Sequence, residues 1–207
     1  MEHYRLAACD IKTVVLPKGK FLYDQHDEPD CFYFIVSGLV SLQRLLLNGK
    51  EVMSRVYKTN QYFGYRTLLS GQNYHVGAKA LTDLTLERVV VRDLDQFFQE
   101  NPKFVRYLFS EMATELRHAE IRLSKMSTHS VELRVIDSVI DLVTADVGYK
   151  WTYREIAAYS GCSTETVIRV SKKLKNSALM HGENTNKSFE LEKLQQVRTQ
   201  LALGEKL

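Results

Sequence analysis

The stretch that decides the fold runs from residue 151 to residue 176 and reads WTYREIAAYSGCSTETVIRVSKKLKN. It contains two short amphipathic runs separated around Gly161, whose permissive backbone suits a tight turn. Thr152 can cap the first run, and Glu155, three residues later, completes a capping box. Ser163 can cap the second run through its hydroxyl oxygen. Two helices joined by a short Gly-containing turn are a helix-turn-helix. The predicted helices span 153–159 and 164–175.

One face of the second predicted helix carries the chemistry that reads base edges. The carboxylate of Glu165 can accept from the cytosine amino group, and Arg169, one turn later, can donate two parallel hydrogen bonds to guanine. Thr166 can contact a phosphate or a thymine methyl group, while Lys172 and Lys173 continue toward the DNA backbone. The alternative is an ordinary surface helix on which Glu165 and Arg169 form an intrahelical ion pair. The predicted DNA-contacting residues are Thr152, Ser163, Thr164, Glu165, Thr166, Arg169, Lys172 and Lys173.

The positive charge of the chain is concentrated in the same stretch. The whole chain has 28 Lys and Arg against 25 Asp and Glu, a formal net charge of +3. Residues 151–176 contain five Lys or Arg and two Glu, and five minus two is also +3. A local excess of cations favours polyanion binding more than the total charge does. Double-stranded DNA is therefore the predicted partner.

Composition limits the class of protein. The 207 residues are 44% hydrophobic and 26% charged, which is typical of a soluble globular protein of one large or two modest domains. No apolar run approaches the roughly 20 residues that span a bilayer, and the first residues lack the apolar core of a secretory signal. We therefore expect a cytoplasmic protein without a membrane partner.

The reactive residue types predict neither an enzyme nor a metal protein. Three cysteines, Cys9, Cys31 and Cys162, are scattered, without the pairs that hold zinc or an iron–sulfur cluster. The six histidines contain no His-x-His pair of the kind that binds metal in a cupin, and no catalytic triad is visible. Cys31 starts an apolar strand beside acidic residues, so burial and a raised thiol pKa are expected rather than a redox switch. No catalytic residue, metal or cofactor is expected.

The first half of the chain predicts β structure. Short β-branched and aromatic runs, such as CFYFIV at 31–36, alternate with turns. Asn48-Gly49 between two such runs predicts a hairpin, because both residues tolerate a positive φ. Short strands at this spacing are typical of a barrel or roll. The predicted strands span 13–16, 31–36, 39–47, 52–57, 78–81 and 86–91.

From residue 93 the hydrophobic period changes to that of a helix. After a short helix over 94–99, apolar residues recur at steps of three and four from residue 103 to about 126. The stripe could pack on its own domain or pair with a second copy as a coiled coil, and the length of the helix favours the second copy. The predicted dimer-interface residues are Leu108, Met112, Leu116, Ala119, Leu123 and Met126.

Small polar residues at 127–130 interrupt this pattern and mark a predicted domain boundary. A helix over 131–144 follows, and the helix-turn-helix is followed by a predicted hairpin and a last helix. The hairpin strands are predicted over 178–181 and 188–191, its turn over 182–187, and the last helix over 194–203. The expected fold is α+β, with a barrel or roll over 1–100, a long helix over 101–127 and a helix-turn-helix with a hairpin over 128–207.

The whole layout resembles the CRP/FNR superfamily of bacterial transcription regulators. PKGKF, CFYFIVSGLV, NGKE and YFG stand where that family has its β-roll signature, and NPKFVRYLFSEMATELRHAEIRL resembles its dimerisation helix. The most specific match is REIAAYSGCSTETVIRVSKKLKNSALM, in which Glu165 and Arg169 match the base-reading pair of the family. Thr164 stands where CRP itself has a further Arg, which leaves the outer bases of the half-site open. The resemblance implies that the three parts of this layout are a β-roll sensor domain, a dimerisation helix and a winged helix-turn-helix DNA-binding domain. It implies a homodimer on a palindromic operator, with half-sites about 34 Å apart and a contact with RNA polymerase.

The resemblance also implies a cyclic-nucleotide pocket, whose residues are changed here. In the family an acidic residue after Phe-Gly contacts the ribose, and an Arg-Ser pair later in the loop holds the cyclic phosphate. Tyr65 takes the position of the acid, and the Arg-Ser positions fall near Tyr74 and His75. Arg66 lies at the other end of the loop, so it does not simply replace the missing bidentate contact. Binding of cAMP is therefore not expected.

What the sensor domain binds stays open at this level. The pocket could take another small molecule through Tyr65, Arg66, Tyr74 and His75, could bind a thiol peptide such as glutathione, or could be vestigial. For the whole protein we predict a sequence-specific DNA-binding transcription regulator. The alternative is a ligand-binding or protein-interaction module of the same fold that does not read DNA.

Overall fold

The computed structural model describes residues 4–176, 180–181, 188–189 and 191–204, with side chains for 4–174 and 191–204. The chain divides into two compact units. Unit 1 comprises residues 1–45 and 54–122, and unit 2 comprises residues 46–53 and 123–207. The β structure of the first half therefore belongs mainly to unit 1, and the helix-turn-helix belongs to unit 2.

The N-terminal half forms the expected β-roll from two four-stranded sheets. Its strands are β1 (Asp10–Leu16), β2 (Phe21–Tyr23), β3 (Cys31–Ser37), β4 (Leu39–Leu45), β5 (Glu51–Lys58), β6 (Tyr62–Phe63), β7 (Gly77–Ala80) and β8 (Leu84–Val90). The first sheet has the order β1-β8-β3-β6, and the second has the order β2-β7-β4-β5. Because most neighbours in each sheet are distant in sequence, the roll is held by long-range strand pairing.

Strand β3 joins the two hydrophobic cores of unit 1. Successive side chains of a strand point to opposite faces, so an unbroken apolar run fits a strand that is buried on both sides. Tyr33 and Ile35 belong to the core between the sheets. Phe32 and Phe34 belong to a second, aromatic core, in which the Phe32 ring lies 5.5 Å from that of Phe104. The run CFYFIV therefore fixes both layers of the unit.

Three short elements of unit 1 were not predicted, namely β2, β6 and the helix α1 (Tyr65–Ser70). Strands of two or three residues are too short to show a hydrophobic period. Helix α1 lies in a segment that was expected to be a loop. It begins after Gly64, whose φ of 86° favours glycine.

The predicted hairpin at Asn48-Gly49 forms with a different turn. Its loop covers residues 46–50, in which the Leu46 N–H donates to the Lys50 carbonyl at 2.9 Å. Of the two predicted turn residues only Gly49 has a positive φ, 75°. The dipeptide thus located the hairpin correctly, but the turn is longer than the two-residue type.

Two helices complete the first part of the chain, α2 (Leu94–Glu100) and α3 (Pro102–Thr128). The Asp93 side chain caps α2 by accepting from the Gln96 N–H at 3.0 Å. Pro102 occupies the first position of α3, where its missing N–H costs no helical hydrogen bond. Helix α3 ends at Thr128, one residue after the predicted end of the dimerisation helix. The predicted domain limits remain predictions.

Unit 2 carries the helices α4 (Val131–Ala145), α5 (Tyr153–Ser160), α6 (Thr164–Asn176) and α7 (Leu191–Ala202). Between α6 and α7, β9 (Met180–His181) pairs with β10 (Ser188–Phe189) in antiparallel fashion. This is the expected hairpin, although residues 178–179, the predicted turn at 182–187 and residue 190 lie outside the described residues. Leu191, predicted to end the second strand, begins α7 instead. The last helix starts three residues earlier than predicted, at Leu191 rather than residue 194. In the part of the chain that the structure describes, no helix is long and apolar enough to cross a membrane.

Candidate nucleic-acid interface and sensor site

Both helices of the helix-turn-helix begin at the expected caps. The Thr152 hydroxyl oxygen accepts from the Glu155 N–H at 3.2 Å, and the Glu155 carboxylate accepts from the Thr152 N–H at 2.7 Å. The Ser163 hydroxyl oxygen accepts from the Thr166 N–H at 3.3 Å. Gly161 ends α5 in the left-handed conformation, with φ of 68°. Local sequence therefore fixes both helix starts and the turn between them.

An apolar face anchors α6 within unit 2. Val167 and Val170 are 0% exposed and Leu174 is 1% exposed, at the helical spacing of three and four residues. On α5, Ile156 and Ala157 are also buried. Full burial of a Val or Leu side chain contributes about 1.5–3 kcal/mol. Helix α6 is thus held by one face, and its other face meets solvent.

Glu165 and Arg169 lie on the solvent face of α6, one turn apart. Hydrogen bonds from its own backbone N–H and from Ser163 hold the pKa of the Glu165 carboxyl below its usual range, so it is an ionised acceptor at neutral pH. Among the described residues no ion pair joins Glu165 to Arg169. The pKa of Glu132 is lowered mainly by a backbone hydrogen bond, then by Lys173, and to a smaller extent by the charge of Arg169. The intrahelical pair of an ordinary surface helix is therefore not formed.

The remaining predicted contact residues surround this pair. Thr164 and Thr166 are half-buried in the first turn of α6, and Lys172 is exposed two turns later. Lys173 is also exposed, and its ammonium lies 3.4 Å from a carboxylate oxygen of Glu132. All eight residues predicted to contact DNA are thus exposed or half-buried. Their contact with DNA stays a prediction.

A buried carboxylate ties the end of α3 to α4 and α7. Oδ1 of Asp137 accepts from Arg198 Nε at 2.7 Å and from Lys125 Nζ at 3.2 Å, and His129 Nδ1 lies 2.9 Å from Oδ2. Burial alone would raise the pKa of Asp137, but the hydrogen bond from Arg198 and the charge of Lys125 outweigh it and lower that pKa. This cluster was not predicted, because Arg198 is 61 residues away in sequence. It fixes the segment in which α3 ends and α4 begins.

A second buried carboxylate, also not predicted, lies on α3 in unit 1. Oε1 of Glu115 accepts from the Tyr57 hydroxyl at 2.7 Å and lies 2.8 Å from Arg55 Nη1. Oε2 accepts from Arg66 Nη1 at 3.0 Å. Burial and then the charge of Glu115 raise the pKa of Tyr57 well above its usual value, so its hydroxyl stays a donor. Three donors from β5 and α1 thus converge on one carboxylate.

The four residues predicted to line an effector pocket have different environments. Tyr65 is 1% exposed, and its hydroxyl has no hydrogen-bond partner among the described residues. Arg66 binds Glu115. Tyr74 is 3% exposed in the core of the β-roll, and its hydroxyl donates to the Cys31 carbonyl at 3.4 Å. His75 is exposed, and partial burial followed by the charge of Arg66 lowers its pKa. Tyr74 is therefore a core residue, and a ligand role for the other three stays a prediction.

Helix α3 has a buried face that continues into the carboxylate cluster. Phe104 and Leu108 are 1% and 3% exposed and pack in the aromatic core, and Glu115 follows on the same face. Leu108 was predicted to face a second copy of the chain, but its burial in unit 1 makes it unavailable to a partner. Because Leu108 was predicted to face a partner, Glu115, seven residues later on the same face, was not expected to be buried.

A neighbouring face of α3, about 100° around the helix from the buried one, is apolar and exposed. Phe109, Leu116 and Leu123 are 64%, 61% and 69% exposed and recur every seven residues. Of the predicted residues, Ala119 and Met126 are exposed three positions after Leu116 and Leu123. Met112, three positions after Phe109, is half-buried and also packs against the aromatic core. The steps of seven and three residues match the a/d spacing of a coiled coil. Phe109 thus takes the place of Leu108 in the stripe.

Cys31 carries no reactive thiolate. It is 0% exposed, and burial is the main cause that raises the pKa of its thiol to about 11. At neutral pH the thiol is protonated and enclosed by the β-roll core. The expected raised pKa is confirmed.

Known proteins share both the sequence pattern and the fold. Residues 13–101 match the family model of the cyclic nucleotide-binding domain. An uncharacterized protein of Haemophilus influenzae is 40% identical over 105 residues, which cover 51% of this chain and 81% of the relative. The cyclic AMP receptor protein of Thermus thermophilus is 28% identical over 171 residues, which cover 82% of this chain and 79% of the relative.

Solved structures extend the likeness of fold to nearly the whole chain. A CRP/FNR-family transcriptional regulator from Thermus thermophilus superposes with a TM-score of 0.77 at 23% identity, over 91% of this chain and 98% of the other. This superposition shows the shared fold. The sequence matches show that the chain belongs to the CRP/FNR superfamily of transcription regulators.

Proposed function

We propose that the protein is a homodimeric regulator that reads a palindromic operator through α6. The observation that carries the proposal is that Glu165 and Arg169 share the solvent face of α6, while Val167 and Val170 on the other face are fully buried. A helix held in this way can enter the major groove without loosening its packing. Acceptance from cytosine by Glu165 and donation to guanine by Arg169 predict G·C pairs in each half-site.

The exposed heptad stripe of α3 supports the dimer. Large apolar side chains at Phe109, Leu116 and Leu123 are each more than half exposed in the single chain. A second copy of α3 would bury them in a parallel coiled coil and would relate the two copies of α6 by a two-fold axis. Two-fold symmetry predicts a palindrome with half-sites about 34 Å apart. Bound there, the dimer would act in the cytoplasm and contact RNA polymerase.

The changes in the sensor support regulation without cAMP. The position after Phe-Gly is Tyr65, which is buried and has no carboxylate to offer a ribose. Tyr74, near the expected phosphate-binding Arg-Ser pair, belongs to the core. The one nearby Arg of the loop, Arg66, is bound to Glu115. The arrangement that would hold a cyclic phosphate is therefore replaced.

Selection of bound sequences from random DNA tests the proposal. The expected product is a palindrome with G·C pairs at symmetric positions, and the selected duplex should bind two chains. Addition of cAMP should not change the affinity. Equal affinity of the wild type for the selected duplex and for a scrambled one would contradict sequence-specific reading.

Two variants separate base reading from backbone attraction. Arg169→Ala should relax the preference at one base pair of each half-site, by about 1–3 kcal/mol per half-site. Lys172→Ala should instead weaken binding to all sequences and reduce the salt dependence by about one counterion per protomer, or about two per dimer. If both variants lose affinity equally for selected and scrambled DNA, Arg169 does not read a base.

A further inference from the structure

The Glu115 cluster is a complete anion site whose anion is supplied by the chain itself. The residue is 5% exposed, and its carboxylate is contacted at 2.7–3.0 Å by the Tyr57 hydroxyl and the guanidinium groups of Arg55 and Arg66. Arg55 also donates to the backbone carbonyl of Glu115 at 3.2 Å. A carboxylate in such a place is stable only with donors of this kind, because burial without them is costly.

The charges of the cluster explain why Glu115 is held there. Arg55 and Arg66 bring two positive charges to it, and their side chains are 21% and 50% exposed. Glu111, one turn earlier on α3, is half-buried, and burial followed by the charge of Glu115 raises its pKa. Without Glu115, the charge of Arg55 would be left with this weaker acid nearby. An anion between β5 and α1 therefore balances the charges of both guanidinium groups.

The position of the cluster gives it a role in the sensor. Arg66 belongs to the segment that follows Phe63-Gly64, where the resemblance places the effector pocket. Beside it, the buried hydroxyl of Tyr65 has no partner in the described part of the chain. The charge of Glu115 is one cause, after burial, of the raised pKa of Tyr65, so the two groups are close. The anion site thus lies beside the expected pocket and is occupied by a residue of α3.

We propose that Glu115 is a tethered ligand, a positioning residue that fixes α3 against β5 and α1 as a bound anion would. The helix that carries the exposed heptad stripe is then set without a small molecule. A carboxylate attached to the chain is present at high effective concentration, so a free anion competes poorly with it. The inference rests on the proposed function only in its claim that the position of α3 affects DNA binding. The anion site itself can be tested without DNA.

Chemical rescue tests the site. Glu115→Ala opens a gap the size of a carboxylate, and thermal unfolding of this variant is followed while formate or acetate replaces chloride at constant ionic strength. We expect a lowered Tm that acetate partly restores. Glu115→Gln fills the gap with a neutral side chain, so its Tm should fall without restoration. Glu120→Ala, on the same helix at an exposed position, should show neither effect.

The effect of the Glu115 site on DNA binding is measured as affinity for the selected operator. Both Glu115 variants should bind it about 5- to 150-fold more weakly than wild type, the range of coupling between distant sites, and acetate should recover affinity for Glu115→Ala only. A double variant, Glu115→Ala with Arg66→Ala, should lose most of the rescue.

The outcomes separate this inference from the proposed function. Restoration of the Tm of Glu115→Ala by acetate supports the anion site even if wild type binds no DNA, in which case the proposed function fails. Equal response of Glu115→Ala and Glu120→Ala to acetate overturns the tethered ligand. Should Glu115→Ala not fold, a Glu115→Gln protein with wild-type Tm and operator affinity overturns it as well.

Discussion

Neutralising Asp137 should destabilise unit 2 more than any neutralisation of an exposed acid. Asp137→Asn keeps the size of the side chain and one acceptor oxygen, so no cavity forms and the loss is electrostatic. Breaking a buried ion pair costs about 3–5 kcal/mol. The side chains of Lys125, His129 and Arg198 are 26%, 23% and 36% exposed and can take up water, which reduces the cost to about 2 kcal/mol. For a chain of this length that lowers Tm by about 4–8 °C.

The pH dependence follows from the lowered pKa of Asp137. The unfolded chain takes up the proton near pH 4, at a higher pH than the folded chain does. The stabilisation is therefore complete above that pH and is lost as the pH falls through the folded pKa. The difference in stability between wild type and Asp137→Asn should accordingly shrink in acid.

Urea unfolding monitored by circular dichroism measures both effects. Glu192→Gln removes an exposed carboxylate from the first turn of α7 and serves as the matched control, with an expected cost below about 1 kcal/mol. The reasoning is refuted if Asp137→Asn and the control unfold at the same urea concentration. It is also refuted if the effect of Asp137→Asn is as large at about pH 2, well below the ordinary pKa of an aspartate, as it is at neutral pH.

Three further predictions test other parts of the structure. Leu123→Glu should convert the proposed dimer to a folded monomer in sedimentation, whereas a monomeric wild type would contradict the proposed interface. Gly161→Ala should destabilise the chain by about 1–2 kcal/mol, because a φ of 68° is strained for any L side chain. Urea unfolding without such a loss would argue against the turn. Cys31 should resist iodoacetamide at neutral pH in the folded protein and react after unfolding, because its thiol pKa is about 11, and rapid labelling of the native protein would show that the thiol is accessible.

Features that depend on near neighbours could be predicted from the sequence. The capping box of Thr152 and Glu155 lies within one turn, and the apolar positions of α6 repeat at a fixed spacing. CFYFIV predicted a strand, and the structure adds that its residues Cys31–Ile35 are buried. In each case the residues that decide the structure stand a few positions apart, so the pattern is visible without the fold.

Features that depend on distant contacts could not be predicted. Glu115 meets Tyr57 and Arg66 only after β5 and α1 have packed against α3. Asp137 similarly depends on Arg198, which belongs to the last helix. The stripe of α3 was assigned to the wrong face at one position, because Leu108 and Phe109 are both apolar and only the packing of unit 1 decides which one is buried.

The division of α6 into two faces separates what the helix recognises from what keeps it folded. Val167, Val170 and Leu174 hold it in place, while Glu165 and Arg169 contribute nothing to that packing. If α6 reads DNA as proposed, replacement of the exposed pair would redirect the protein to other promoters at little thermodynamic cost. Descendants of a duplicated gene could thus acquire separate regulons by a few substitutions, and a designer could reprogram the same scaffold by randomising only those positions.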